Sequence, residues 1–172
     1  MHATTLLLTC LVLMPAPAYA QTSGQLTMRL EVLPAALRVT VTSSAMDFAR
    51  QHANAGRVHL DPATGEISGK VSGMHRFGEV RLSGPENGAY AVAVSPSPHL
   101  RGEAGRVGFQ LLWAHNANCA PGGFVALPAR RSTEGSLGER GCSLVRFGGA
   151  IDLLGVPEGR YEGRLEVHIV SL

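Results

Sequence analysis

Apolar and polar residues alternate along much of the chain with a period of two, the spacing that sends successive side chains to opposite faces of a β-strand. The pattern is clearest near the C-terminus, where Tyr161, Gly163, Leu165, Val167 and Ile169 fall on one face and Arg160, Glu162, Arg164, Glu166 and His168 on the other. This predicts a final strand with one buried face and one solvated face. Leu37-Arg-Val-Thr-Val-Thr42 carries the same alternation, with the β-branched residues that suit a pleated surface. A third such segment stands earlier, where Leu26, Met28, Leu30 and Val32 alternate with Thr27, Arg29 and Glu31 just ahead of Pro34.

Turn residues separate these segments. Arg57-Val-His-Leu60 runs into Asp61-Pro-Ala-Thr-Gly65, in which Pro presets φ, Asp can bond its own downstream backbone and Gly supplies a positive φ. The chain turns there, and Ile67 starts a return strand. Gly78-Glu-Val-Arg-Leu82 and Tyr90-Ala-Val-Ala-Val94 flank Gly84-Pro-Glu-Asn-Gly88, whose Asn-Gly pair predicts that the two strands join as a hairpin. The stretch from Val107 to Trp113 is more continuously apolar and suits a strand covered on both faces. Residues 143–154 form another long strand candidate, interrupted by Gly148-Gly149, a bulge or a close approach. Residues 44–54 can hold a short helical turn, and no segment has the pattern of an amphipathic helix. Seven or eight short strands separated by Gly, Pro and Asn turns predict an all-β fold, an antiparallel β-sandwich.

The N-terminus sets the compartment. Residues 6–14 form an apolar run of signal-peptide length that leads into Pro15-Ala-Pro-Ala-Tyr-Ala20, where small Ala18 and Ala20 fit a cut before Gln21. The run falls short of the roughly 18 to 20 residues that cross a bilayer. Residues 1–20 therefore read as a signal peptide, residues 21–35 as an N-terminal extension or candidate donor strand, and residues 36–172 as the β-sandwich domain. The expected location is exported: periplasm, cell surface or secreted. The formal net charge is +2. Arginines and acidic residues interleave, which points to neither nucleic acid nor an anionic membrane as partner.

Removing Cys10 with the signal leaves the pair Cys119 and Cys142, expected to be joined by a disulfide in an oxidising compartment. The bond would close a stretch rich in Gly, Pro, Ser and Arg with little apolar periodicity, which reads as a long loop. Candidate chemistry is sparse. The histidines at 52, 59, 75, 99, 115 and 168 have no His-x-His or His-Glu-x-x-His spacing, and no Gly-x-Ser-x-Gly elbow or calcium loop occurs. Gly65-Glu-Ile-Ser-Gly-Lys-Val71 is one residue short of a phosphate loop and ends in Val, so it reads as a turn and strand edge. No catalytic residue, metal site or cofactor is expected.

Several phrases resemble the exported bacterial family called domain of unknown function 4402. They are Leu37-Arg-Val-Thr-Val with Met46-Asp-Phe48, Leu60-Asp-Pro-Ala-Thr-Gly65, Val80-Arg-Leu-Ser-Gly84 with Tyr90-Ala-Val-Ala-Val94, and Val156-Pro-Glu-Gly-Arg-Tyr-Glu-Gly-Arg-Leu-Glu-Val167. That family is similar to spore coat protein U and the archaic chaperone-usher pilins. The resemblance implies an immunoglobulin-like sandwich used in surface appendages, assembled by strand addition, with other copies of the chain or a periplasmic chaperone and usher as partners. The sequence departs from the pilins in lacking a cysteine near the first strand and in carrying the Cys119 and Cys142 loop beside Trp113. Two function classes follow: a structural or adhesive fibre subunit in which Leu26, Met28, Leu30 and Val32 act as donor residues, or a monomeric exported binding module without enzymatic activity.

Overall fold

The computed structural model describes residues 22–32, 37–52, 54–69, 71–96, 99–128 and 130–172, with residues 22–32, 71 and 96 described by backbone alone. The expected signal peptide lies outside the described residues. The chain is all-β. Its strands are β1 (Thr22–Val32), β2 (Arg38–Ser43), β3 (Ala45–Gln51), β4 (Arg57–Leu60), β5 (Ile67–Ser68), β6 (Val71–Ser72) and β7 (Gly78–Ser83). They continue with β8 (Ala89–Pro96), β9 (His99–Gly102), β10 (Gly105–Asn116), β11 (Val125–Ala126), β12 (Ser132–Ser136), β13 (Cys142–Asp152) and β14 (Arg160–Ser171).

Hydrogen bonds link these strands into one open array, in the order β2-β7-β13-β10-β9-β14-β1-β3-β6, with β4 and β11 on the β13/β10 side and β8 on β14. Every described pair is antiparallel except β1 with β14. Strand β10 connects the two halves, since it pairs with both β13 and β9. A single buried cluster draws on both halves: Val80, Leu82, Trp113, Val145 and Phe147 from one, and Phe48, Val92, Val94, Leu165 and Val167 from the other. Phe48 and Phe109 meet edge to face across it, with centroids 6.3 Å apart, a favoured aromatic arrangement.

The final strand follows its alternation. Tyr161, Leu165, Val167 and Ile169 are buried and Gly163 is half-buried, whereas Arg160, Glu162, Arg164 and His168 are exposed. The turn at residues 61–65 forms through local bonds. The Asp61 carboxylate accepts from the Ala63 N–H at 2.8 Å, the Gly65 N–H donates to the Asp61 carbonyl at 2.9 Å, and Gly65 takes φ +80°. Strand β5 then pairs back onto β4. Gly148-Gly149 is a close approach rather than a bulge: the β10–β13 register runs through both residues without a shift, and a Cβ on Gly148 would lie 2.2 Å from the Leu60 carbonyl oxygen.

Four expectations are corrected. The segments flanking residues 84–88 turn as expected, with Asn87 at φ +55°, but they do not pair with each other. Strand β7 lies between β2 and β13 while β8 lies between β12 and β14, so the turn arches from one half of the sheet to the other. A two-residue signal fixes a local turn; partner choice is settled by which faces find the core. Residues 45–51 form a strand rather than a helical turn, because Met46, Phe48 and Ala49 are buried and tertiary packing outweighs their helix propensity. Strand β2 is an edge strand whose residues are exposed or half-buried, so its alternation buries little. Strand β10 is covered on one face through Gln110 and on both faces only beyond it.

Candidate functional site

Three places combine unusual geometry with candidate chemistry. The first is the seat of β1. Ten consecutive residues, Ser23 to Val32, run parallel to Arg160 to Ile169 of β14, and the other edge of β1 pairs antiparallel with β3. The segment thus occupies an interior position in the sheet. The register sets Leu26, Met28, Leu30 and Val32 against Gly163, Leu165, Val167 and Ile169, the buried-face positions of the final strand. It also sets Arg29 against Glu166 and Glu31 against His168. The candidate donor positions and the final-strand core positions are therefore brought together, within one chain.

The second is the stretch between the cysteines. Cys119 and Cys142 are bonded, with Cα atoms 5.7 Å apart, inside the usual span for a disulfide. The loop reading is incomplete, because β11 pairs with β10 and β12 pairs with β8 within it. Side chains that bond backbone hold the remainder. The Trp113 Nε1–H donates to the Pro128 carbonyl at 3.0 Å, and the indole stacks on Phe147 with centroids 6.2 Å apart. The buried Asn116 amide donates to the carbonyls of Ala120 and Gly122 and accepts from the Asn118 N–H at 2.7 Å. Below it, the Tyr90 hydroxyl bonds the Ser143 hydroxyl at 2.9 Å, and Ser143 donates to the Asn116 carbonyl at 3.2 Å. Burial raises the Tyr90 phenol above its ordinary value, with the Ser143 bond pulling the other way. Burial also lowers the half-buried His115 imidazole.

The third is a cleft of about 530 Å³ between the corner joining β2 to β3 and the segment entering β7. Its floor is Arg146 of β13, whose Nε and Nη2 both lie 3.1 Å from Glu79 Oε2. The guanidinium also sits 3.8 Å from the Phe124 ring centroid and 5.3 Å from that of Phe77, a cation–π arrangement. Glu79 is engaged further, since Thr42 Oγ1 lies 3.1 Å from its Oε1 and 3.0 Å from its backbone carbonyl. Sequence reasoning missed this cluster. Its members stand at 42, 77, 79, 124 and 146, and no local spacing links them. Among the six singled-out histidines only His75 lines the cleft, and among the described residues no three His, Cys, Asp or Glu side chains group to hold a metal.

No protein-family model matches the chain, and no curated protein matches it.

Proposed function

We propose that the protein is an exported, immunoglobulin-like sandwich subunit of a surface fibre, assembled by strand addition. The observation that carries this reading is the position of β1, a strand that pairs through its backbone along β14 and β3 and joins the next strand through residues 33–37 alone. An extended segment near a chain end can leave such a position without threading, and the edges it leaves offer backbone groups to the same segment of another copy. Two sheet halves around one core support the sandwich. So does the Tyr161 hydroxyl, which donates to the Pro157 carbonyl at 2.8 Å just before the last strand; immunoglobulin-like sandwiches carry a similar tyrosine corner. The resemblance of residues 36–169 to an appendage-associated family points the same way.

A monomeric binding module is the second reading, favoured by the unbroken pairing of β1 within its own chain. One experiment separates the two. The chain beginning at Gln21 is incubated at high concentration with and without a synthetic peptide of residues 22–32, and oligomers are followed by size-exclusion chromatography. A fibre subunit forms a ladder of species that excess peptide caps, and a chain lacking residues 21–33 binds the peptide without extending the ladder. A single monomer peak under every condition, with loss of β circular dichroism on truncation that peptide does not restore, makes β1 an ordinary strand and the protein a monomer.

A further inference from the structure

We infer that the cleft floored by Arg146 is a binding site for a sugar bearing a carboxylate, a hexuronate. The hydrogen-bonding state of its walls selects the ligand. Both Glu79 carboxylate oxygens have a partner, Oε2 the Arg146 guanidinium and Oε1 the Thr42 hydroxyl, whose single proton is shared with the Glu79 backbone carbonyl, and the Ser43 hydroxyl donates to the Ala45 carbonyl at 3.1 Å. What remains open among the described residues is mostly donors: the Arg146 Nη1 group, the Ser44 hydroxyl and the whole Arg76 guanidinium, which presents five N–H bonds in a fixed fork. Two guanidiniums face one carboxylate, so the cleft has a positive excess. A donor-rich, cationic cleft calls for oxyanion acceptors, and a planar carboxylate matches a guanidinium with two parallel bonds.

Arg76 is held in place for this role. Its backbone makes both bonds of a bridge to Asp47, N–H to carbonyl in each direction at 2.8 and 2.9 Å. The Asp47 carboxylate accepts from the Ala49 N–H at 2.8 Å and is not among the side chains that line the cleft. The size of the cleft falls within the roughly 300–1,000 Å³ of small-molecule sites, more than a free inorganic ion fills. The Ser44 hydroxyl on its rim can both donate and accept, and His75, whose Nε2–H donates to the Gly65 carbonyl at 3.3 Å, leaves Nδ1 to accept from a ring hydroxyl. The Phe77 ring supplies an apolar wall against which the carbon skeleton of a sugar can lie.

Nuclear magnetic resonance titration of the mature chain tests the assignment. Galacturonate should give saturable shifts at the amides of Ser44, Arg76 and Phe77, weakening as salt is raised, while neutral galactose gives none. Arg76→Gln should weaken galacturonate binding at least tenfold with an unchanged circular dichroism spectrum, since that side chain is exposed and only its backbone bridges Asp47. Equal binding of galactose, no saturable shift, or unaltered affinity in R76Q overturns the site. If sulfate or N-acetylglutamate binds as tightly as galacturonate, the sugar assignment is overturned in favour of a general oxyanion site.

Discussion

The seat of β1 and the stretch between the cysteines solve one problem in opposite ways. Strand β1 is ordered by repetition: a period-2 sequence lies between two strands, in unbroken register with β14, and its pairing uses backbone groups that any sequence possesses. The 117–141 stretch has no such period. Outside the short ladders of β11 and β12, it is held by individual partners, among them the Trp113 indole, the Asn116 amide and the disulfide. A ladder can exchange one donor segment for another of the same pattern, because backbone bonding is indifferent to side-chain identity. A stretch fixed by named side chains can only be ordered by its own chain. That contrast is why the proposed assembly role falls on β1 and not on the disulfide-closed stretch.

Removing the disulfide should produce the largest effect and fall on one side of this comparison. Closing a loop of 23 residues stabilises by about 3.5 kcal/mol on the chain-entropy account. Cys119→Ser with Cys142→Ser should lower unfolding stability by up to that amount, read as a shift in the urea midpoint. Hydrogen exchange should rise across residues 117–141 and stay unchanged in β1. Equal acceleration in both regions would show that the two are one cooperative unit.

The β1 side is tested by its register. The parallel alignment sets Arg29 opposite Glu166, and its unlike charges are expected to contribute no more than the roughly 0.2–1 kcal/mol of antiparallel cross-strand pairs. Arg29→Glu should destabilise by an amount in that range, and combining it with Glu166→Arg should recover most of the loss. Independent effects of the two substitutions would mean that the register is different. This pairing was only half legible in the sequence. The alternation of Leu26, Met28, Leu30 and Val32 announces a strand, but nothing local reveals a parallel partner more than a hundred residues away.

The same division runs through the molecule. The final strand and the turn at residues 61–65 were readable because their causes are local: side-chain period in one, Asp, Pro and Gly chemistry in the other. The cysteine pair was readable because setting Cys10 aside with the expected signal leaves one possible partner. The hairpin expectation failed because Asn-Gly specifies a turn and not the strands that use it. Residues 45–51 misled because the pull of alanine and methionine toward helix is a few tenths of a kcal/mol per residue, less than burying Met46 and Phe48 provides. The Arg146 cluster was invisible, since a guanidinium clasped by Glu79 and two aromatic rings is assembled from three segments distant in sequence.

The smallest expected effect comes from His115, which pairs with Val125 and Val145 at the base of the disulfide-closed stretch. Burial disfavours its charged form and lowers its pKa in the folded chain, whereas the unfolded chain titrates near about 6.5. Above that value both states are neutral at this position and the contribution to stability is fully present. As pH falls through it, the unfolded state takes up a proton that the folded state resists, so stability declines until the folded imidazole also protonates. Half-burial keeps the effect modest, because solvent screens part of the charge. Urea midpoints measured at about pH 8 and about pH 5 should therefore differ less for His115→Gln than for the unchanged chain, and the acid loss should be accompanied by faster exchange in residues 117–141 ahead of β1. Identical pH slopes in the two proteins would assign the acid sensitivity to other groups. Faster exchange in β1 than in residues 117–141 would instead place the acid-labile element outside the disulfide-closed stretch, reversing which of the two regions gives way first.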